Sequence, residues 1–377
     1  MSPTAPAPSP SDLYNPDAVR IRHSAGMAQW LLEQQVSLAY TSYATGRLIV
    51  AGVGPDGRLF FNEQNYTRAM GLHYADGDLH LASLYQIWRL ADLLGEGEYA
   101  NKAFDCILVP RLAHTTGYLD VHELAVDHLQ RPIFVNTRYS CLATVDPGFN
   151  FQPLWMPPFI SELAPDDRCH LNGLAMDQGR PRFVTAFSRT DSPEGWREAG
   201  IGQGVVIDVR TGEVLADGLC MPHSPRIHDG KLWLLESGRG YLVSIDLESG
   251  RKADVAFCPG YVRGLSLHGN FAVVGVSKAR DGVKSLPLHE ELGRLGAEPW
   301  CGIVVVDLAQ RLICNFIRYE TEISELFDVT LLPGIRNPMT IGPNTEEILS
   351  TIRANPSFAS LQNEGAGRDS RRPERSP

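Results

Sequence analysis

Short apolar runs bounded by Gly, Asp and Pro dominate the chain, and they predict β-strands joined by tight turns. Typical runs are RLIVAGV, KLWLLES and YLVSIDL, each followed by a turn sequence such as GPDG, GRG or ESG. Helical periodicity is confined to two segments, Ala25–Gln34 and Leu286–Leu295. The pattern therefore predicts an all-β chain with two short helices.

One strand pattern, polar or small at its start and apolar at its end, recurs six times. The copies are RAMGLHY, DVHELAV, HLNGLAM, MPHSPRI, YVRGLSL and ELFDVTL. Their third residues define a reference position, which is occupied by Met70, His122, Asn172, His223, Arg263 and Phe327. The steps between copies are 52, 50, 51, 40 and 64 residues. This period fits four-stranded propeller blades better than helical repeats of roughly 33–47 residues.

Three further strand candidates follow each copy except the last, whereas three others precede the first copy (SLAYTSY, RLIVAGV and RLFFNEQ). We therefore predict a six-bladed β-propeller over residues 18–354, a single domain. Its last blade is closed by N-terminal outer strands and a C-terminal inner strand. A β-sandwich is the structural alternative. The Pro/Ser/Ala-rich residues 1–17 and the basic residues 355–377 are predicted to be disordered tails.

Composition narrows the classes of partner. Lys plus Arg is 34 and Asp plus Glu is 44, so the net charge of −10 argues against a nucleic-acid partner. No apolar run approaches the roughly 18 residues of a membrane span, and no secretory signal is visible. The seven Cys are scattered without a CxxC pair, so no disulfide framework is expected. We predict a cytoplasmic protein, and its oligomeric state is left open.

The repeat also predicts where a site lies, because the first strand of each propeller blade lines the central channel. Side chains two apart share a face of a strand, so the channel also receives Asp120, His170 and Tyr261. A small-molecule or peptidic substrate is expected at the channel mouth. The predicted substrate-binding residues are Asn172, Arg263, Arg138, His114, Arg226, Glu236, Tyr261 and Lys278.

The predicted catalytic residues are His122, His223, His170 and Asp120. Three neutral imidazoles suit a divalent metal such as Zn or Fe, with a position open for water or substrate. The alternative is that each His bonds to a neighbouring blade or acts alone as an acid or base. Convergence of the three depends on strand register, since a slip of one residue would turn His122 away from the channel.

Other chemistry motifs are weak in this sequence. GEGEYA (95–100) matches a dinucleotide-binding pattern but does not open a helix after a clean strand, so no nicotinamide or flavin cofactor is predicted. The chain contains no P-loop, HExxH or GxSxG motif.

Two functions fit these observations. The first is an enzyme that acts on a small or peptidic metabolite by non-redox chemistry, as a lyase, hydrolase, cyclase or isomerase. The second is a ligand- or protein-binding propeller without catalysis, with segments 189–203 and 279–300 shaping its surface or covering the site.

Several strings resemble a bacterial family labelled only as conserved hypothetical. They are RLAHTTGYLDVHELAV, FVNTRYSCLAT, PPFISELAPDDRCHLNGLAM, MPHSPRIHDGKLWLLESG and FDVTLLPG. The resemblance covers most of residues 22–335 and implies membership of an uncharacterised family. It implies no reaction, and likeness in architecture to gluconolactonase-like propellers carries over no catalytic residue.

Overall fold

Each repeat of apolar runs and tight turns folds into one small antiparallel sheet. The computed structural model describes residues 20–278 and 286–354. Within these residues, six sheets of four or five strands form a six-bladed β-propeller, as the repeat predicts. The first elements in the chain are β1 (Ile21–His23), α1 (Met27–Gln34), β2 (Val36–Ser42), β3 (Arg47–Val53) and β4 (Leu59–Asn65).

The next blades follow the chain. Blade one contains β5 (Leu72–Ala75), β6 (Asp78–Ala82), β7 (Gln86–Asp92) and β8 (Cys106–Thr115). Blade two contains β9 (Val121–Val126), β10 (Pro132–Asn136), β11 (Cys141–Thr144) and β12 (Gln152–Trp155). Blade three contains β13 (Leu171–Asp177), β14 (Arg180–Ala186), β15 (Gly204–Asp208) and β16 (Val214–Leu219), with a 3-10 turn at Gly195–Arg197.

The last blades complete the circle. Blade four contains β17 (Pro222–His228), β18 (Lys231–Glu236), β19 (Tyr241–Asp246) and β20 (Lys252–Phe257). Blade five contains β21 (Tyr261–His268), β22 (Phe271–Ser277), β23 (Cys301–Asp307) and β24 (Leu312–Tyr319), with α2 (Pro287–Leu295) before β23. The remaining elements are β25 (Asp328–Pro333), β26 (Pro338–Thr340) and α3 (Glu347–Ser350).

Blade six joins the two ends of the chain. Its inner strand β25 pairs antiparallel with β2, from Val36 opposite Pro333 to Thr41 opposite Asp328, and β3 and β4 follow outward. The predicted closure is therefore confirmed. Closure removes the free edges that an open row of blades would expose.

Helix α1 covers the seam between blades five and six. Met27, Trp30 and Leu31 recur with helical spacing and are buried against this seam. Beneath them the hydroxyls of Tyr40 and Tyr319 form a hydrogen bond of 2.6 Å between the two blades. Both predicted helices, α1 and α2, are present.

Two short strands escaped the sequence prediction. Strand β1 adds to the outer edge of blade five, and β26 pairs in parallel with β8 at the outer edge of blade one. Each has three residues, too few for an alternating pattern to stand out.

Glycines let the inner strands approach each other. A Cβ on Gly264 would lie 2.7 Å from Cα of Asp328 in the next blade, and one on Gly173 would lie 2.4 Å from Cδ of Pro225. Both follow a reference position directly. The missing side chains leave room for the backbone at Asp328 and the ring of Pro225 in the neighbouring blades.

Residues 1–17 and 355–377, predicted to be disordered tails, lie outside the described residues. Among the described residues, no helix has the length and apolar character needed to cross a membrane.

Candidate functional site

Four blades begin with a residue in the left-handed backbone conformation. Arg68, Asp120, His170 and Met221 each stand two residues before a reference position, and their φ angles lie between 50° and 53°. Such angles are costly for residues other than glycine and cluster at functional sites. All four side chains line one cavity, so a repeated backbone feature directs them to the same place.

That cavity lies at the predicted mouth of the channel and has a volume of about 660 Å³. This volume is within the usual range for small-molecule sites. Its lining combines aromatic rings, three arginines, two aspartates and two histidines. The lining residues are Tyr43, Arg68, Met70, Tyr118, Asp120, His122, Asp167, His170, Phe187, Trp196, Arg197, Gly200, Ile201, Gly202, Met221, Arg263, Leu286 and Phe327.

The bottom of the cavity, here called the cavity floor, is a closed circle of six planar side chains: His122, His170, Phe187, His223, Arg263 and Phe327. The ring centroid of His170 lies 4.8 Å from that of His122 and 4.5 Å from that of Phe187. The His223 centroid lies 5.2 Å from that of Phe187. This half of the circle therefore contains all three predicted histidines.

Arg263 closes the other half of the circle. Its Nη2 donates a hydrogen bond of 3.0 Å to Nε2 of His223, and its Cζ lies 4.4 Å from the ring centroid of Phe327. The Phe327 ring in turn lies 5.3 Å from His122. His122, His170 and His223 thus lie in one circle of contacting side chains, a point that the sequence left open, and the strand register holds His122 toward the channel.

Hydrogen bonds settle the tautomer of His122. Thr137 donates its hydroxyl proton to the carbonyl of Leu171 at 2.6 Å, so its oxygen accepts from Nδ1 of His122 at 2.9 Å. The carbonyl of Asp120 is a second acceptor, at 3.0 Å. Nδ1 therefore carries the proton and Nε2 keeps its lone pair. Burial lowers the pKa of His122 to about 3, so the ring is neutral at pH 7.

His223 repeats this arrangement two blades away. Its Nδ1 donates to the carbonyl of Met221 at 3.0 Å and to the hydroxyl of Ser237 at 2.8 Å, and Ser237 donates to the carbonyl of Val262. Burial, with the positive charge of Arg263, holds the pKa of His223 well below its usual value. Its neutral Nε2 is therefore the acceptor that orients the Arg263 guanidinium.

His170 has a different partner. Its Nδ1 lies 2.9 Å from Oδ2 of Asp167, and the same oxygen accepts from Nε1 of Trp196, also at 2.9 Å. The His170 ring contacts two aromatic rings, with centroid distances of 4.3 Å to Trp196 and 4.5 Å to Phe187. A carboxylate on Nδ1 leaves Nε2 as the group that can take a proton.

The segment that carries Trp196 is fixed by a buried arginine. Arg168 pairs with Glu162, with Asp166 at 3.1 Å and with Asp191 at 2.9 Å. These contacts join the loop before β13 to the loop after β14, so Asp167 and Trp196 are held in place by structure outside the repeat.

The three histidines do not form a metal-ligand group in this arrangement. Over residues 20–278 and 286–354, no three His, Cys, Asp or Glu side chains are grouped so that they could hold a metal ion. The reason at His223 is that its Nε2 already accepts from the Arg263 guanidinium. Metal binding by His122, His170 and His223 stays a prediction.

The structure brings part of the predicted site together. Of the predicted catalytic residues, His122, His170 and Asp120 line the cavity, and His223 supports the floor. Of the predicted substrate-binding residues, Arg263 lines the cavity.

Arg226 belongs to a buried group that we call the mid-channel cluster: Glu123, Arg226 and Asp328. Arg226 Nη2 lies 2.7 Å from Oε1 of Glu123. The Asp328 carboxylate accepts from the backbone N–H groups of Leu72 at 2.7 Å and Val329 at 2.8 Å. Burial and the nearby Glu123 raise the pKa of Asp328 to about 8. Arg226 is thus paired with the buried carboxylate of Glu123 and does not line the 660 Å³ cavity, and its assignment to the substrate stays a prediction.

Two other predicted residues have local partners. Glu236 is buried and pairs with Arg239 at 2.6 Å and Lys252 at 3.0 Å, so its carboxylate is satisfied inside blade four. Asn172 is buried, and its Oδ1 accepts from the Thr185 hydroxyl at 2.7 Å. Neither side chain lines the 660 Å³ cavity.

The remaining four predicted residues lie beside or away from the cavity. The Arg138 guanidinium lies 5.3 Å from the Tyr118 ring centroid, outside the lining. Tyr261 packs near α2. The Lys278 backbone N–H donates to the carbonyl of Ser324, and its side chain is not in the lining. His114 lines another cavity, of about 530 Å³, between blades one and two, since it lies in outer strand β8.

Sequence reasoning missed Asp167, Trp196, Phe187 and Thr137 as parts of the site. Asp167 and Trp196 come from loops that have no equivalent in other repeats. The sequence does carry a signal for Thr137. This residue directly follows the second strand of blade two, as Ser237 directly follows the second strand of blade four.

Comparison with known proteins gives the family and the fold. The sequence pattern of the family described as "Domain of unknown function (DUF4915)" matches residues 25–341. No curated protein matches the chain. A chain from the crystal structure of a nidogen/laminin complex superposes with a TM-score of 0.51 at 12% identity, over 79% of this chain and 99% of that chain. For the computationally designed Ika8 protein the TM-score is 0.35 at 11% identity, over 78% and 76%.

Proposed function

This chain belongs to the DUF4915 family, a domain of unknown function, and we propose that it is an enzyme that moves protons on a small organic substrate in the cavity. The observation that carries the proposal is the Asp167–His170 pair facing a 660 Å³ cavity. A carboxylate on Nδ1 orients the imidazole and stabilises the imidazolium formed when Nε2 takes a proton. Non-redox lyase, hydrolase, cyclase and isomerase reactions all use such a step.

The other floor residues have supporting roles in this proposal. Arg263, oriented by Nε2 of His223, balances negative charge that develops on the substrate. His122 is too weak a base at neutral pH to share the proton transfer, since its pKa is about 3. Its Nε2 lone pair instead accepts a hydrogen bond from the substrate.

The test uses three variants and one readout. Purified protein is incubated with a small-molecule cell extract in D₂O, and mass spectrometry follows compounds that gain deuterium or disappear. His170→Gln and Asp167→Asn are expected to lower the rate by roughly 10²–10⁴-fold. His114→Gln, which alters a histidine in a different cavity, is expected to keep the rate. Equal rates in His170→Gln and the wild type would refute the role of His170.

Metal assistance is tested separately. Metal content is measured in tag-free wild-type protein and in the His122→Ala/His223→Ala double variant. Near-stoichiometric zinc or iron, lost in the folded double variant, would replace the metal-free proposal with a metal-assisted one. Equal metal content in both proteins would refute ligation by these histidines.

A protein-binding propeller without catalysis is the alternative function. It predicts that His170→Gln has no effect, while a substitution on an exposed rim side chain such as Phe149 abolishes partner binding. We place either function in the cytoplasm, because the seven cysteines are free thiols and a reducing compartment preserves thiols.

A further inference from the structure

The cavity between blades one and two, here called the inter-blade cavity, is separate from the cavity at the channel mouth. Its volume is about 530 Å³, and the two cavities share no lining residue. Strands β6, β7 and β8 of blade one form one wall, and the residues around β10 and after β11 of blade two form the other. A cavity of this volume is large enough for a small organic molecule.

Strand register directs two histidines into the inter-blade cavity. His80 of β6 lies opposite Arg89 of β7, which in turn lies opposite Leu112 of β8. Residues opposite each other in an antiparallel pair lie on the same face of the sheet, and so do residues two apart in one strand, such as Leu112 and His114. All four side chains accordingly line the cavity.

The charged side chains of the lining already have partners of opposite charge. Nε of Arg89 donates to Oδ2 of Asp78 at 2.5 Å. Nε and Nη2 of Arg131 donate to Oδ2 of Asp127 at 3.0 Å and 2.8 Å. An ionic ligand would have to compete with these pairs, so the arrangement favours a ligand without charge.

The two imidazoles differ from these charged groups, because neither His80 nor His114 forms a side-chain hydrogen bond within residues 20–278 and 286–354. His80 is also buried, with 8% of its surface exposed. Burial lowers the pKa of His80, while the nearby charges of Asp78 and Arg89 act on it in opposite directions, so the ring is neutral at pH 7. A buried polar side chain that faces a cavity without a protein partner marks a position for a ligand.

The other parts of the walls are apolar. Ile87 and Leu112 line the cavity from blade one, and Pro132 and Val145 line it from blade two. Leu112 is 45% exposed, so a ligand that covers it removes apolar surface from water. The walls therefore favour an apolar ligand body.

We infer that the inter-blade cavity is a second binding site, for an uncharged molecule that has an apolar body and a hydroxyl group bonded to the ring of His80. A neutral imidazole can donate and accept a hydrogen bond, and a hydroxyl group can do the same, so the two groups match. This inference does not depend on the proposed function, because the two cavities have no residue in common.

Three probes that share one ring test the inference. 4-Methylphenol carries a hydroxyl group, toluene lacks it, and 4-methylbenzoate carries a charged carboxylate in its place. Saturation-transfer NMR titrations measure binding to the wild-type chain, His80→Leu, His80→Gln and Leu112→Asp. Leu312→Asp is the matched control, since Leu312 is also an exposed leucine in the outermost long strand of a blade, β24, and does not line the cavity.

Wild-type protein is expected to bind 4-methylphenol about fivefold more tightly than toluene, the worth of one hydrogen bond. It should bind 4-methylbenzoate at least about tenfold more weakly than 4-methylphenol, because desolvation of an unpaired carboxylate is costly. His80→Leu is expected to remove the preference for 4-methylphenol over toluene, and His80→Gln, which keeps a hydrogen-bonding group, is expected to retain it. Leu112→Asp should weaken 4-methylphenol binding at least about tenfold, and Leu312→Asp should not change it.

Four results would overturn the inference: tightest binding of 4-methylbenzoate, equal affinity of the wild type for 4-methylphenol and toluene, an unchanged preference in folded His80→Leu, or no binding of any probe at millimolar concentration. If His80→Leu does not fold, equal affinities in Leu112→Asp and Leu312→Asp refute the site. The His170→Gln variant checks the location. Binding that is lost in His170→Gln and kept in Leu112→Asp would place the probe at the channel mouth and refute the inference as well.

Discussion

The cavity floor and the mid-channel cluster share the inner strands β9 and β17, yet their buried polar groups are satisfied in opposite ways. In the cluster, Arg226 and backbone N–H groups satisfy Glu123 and Asp328 from within the protein. On the floor, Nδ1 of His122 is satisfied, whereas its Nε2 has no partner within the described residues and lies beside the cavity. A buried group whose hydrogen bonds are all made within the protein indicates a structural role. A rigidly held group that keeps one hydrogen-bonding position open indicates a binding role.

The comparison shows why residue type alone misleads in a channel. Arginines occur in both layers, and only their partners separate them. Arg226 faces a buried carboxylate at 2.7 Å, whereas Arg263 donates to a neutral imidazole at 3.0 Å. Arg226 is thus engaged by a buried carboxylate, whereas Arg263 lines the cavity and contacts a neutral histidine there.

Breaking the cluster is expected to have the largest effect. Arg226→Met leaves Glu123 buried without its cation, which costs roughly 3–5 kcal/mol in the free energy of unfolding. Denaturant titration measures the loss. The Arg226→Met/Glu123→Met double variant is expected to recover most of it, since neither charge then stays buried. A single variant as stable as the wild type would show that the pair is not structural.

The floor is expected to make the protein sensitive to acid. The pKa of His122 is about 3 in the folded protein and 6.5 when exposed, so the unfolded chain binds more protons below pH 6.5. The free energy of unfolding should therefore fall as the pH drops from 6.5 toward 3, by up to about 1.4 kcal/mol per pH unit. His122→Gln should reduce this slope. An unchanged slope in urea titrations at each pH would contradict the assignment.

The mid-channel cluster is expected to give a pH dependence of the free energy of unfolding with the opposite sign. The pKa of Asp328 is raised from 3.8 to about 8 by folding, so the folded protein holds a proton that the unfolded chain releases. This contribution to stability is complete below pH 4 and is lost as the pH rises toward 8. Asp328→Asn should flatten the profile on that side while leaving the acid limb of His122 in place, which the same titrations would resolve.

The smallest expected effect compares two threonines that make the same kind of hydrogen bond, of which only one contacts the candidate site. Thr41 and Thr137 both donate from the end of a second strand to an inner-strand carbonyl of the next blade, at 2.6 Å, and only Thr137 also holds a histidine. Thr→Val at either position should cost about 1–3 kcal/mol. Only Thr137→Val should shift the ¹⁵N signals of the His122 ring. Equal NMR spectra in the two variants would refute the tautomer argument.

The sequence predicted the fold more completely than it predicted the site. The six copies and the three unmatched N-terminal strands were enough for the propeller and its closure, because period and strand count are properties of the chain order. The reference positions likewise predicted His122 and Arg263 in the channel, since alternation along a strand decides which face a side chain takes.

The sequence did not indicate contacts between side chains that are remote along the chain. Arg226 and Glu123 are 103 residues apart, and no local pattern indicates that they meet. Asp167 and Trp196 reach His170 from loops, where neither period nor alternation applies. His114 is the opposite case, in which closeness in sequence misleads. Residues that follow it in sequence lie at the channel mouth, whereas its own strand, β8, runs along the outside of blade one.

The sequence by itself determined the number of blades, the closure and the row of inner-strand side chains. The tertiary structure decided which of those side chains are neutralised and which remain available to a ligand. The physical reason is that strand formation depends on local alternation and turn chemistry. The charge state and hydrogen-bonding capacity of a buried group depend instead on the groups that packing brings within a few ångströms of it.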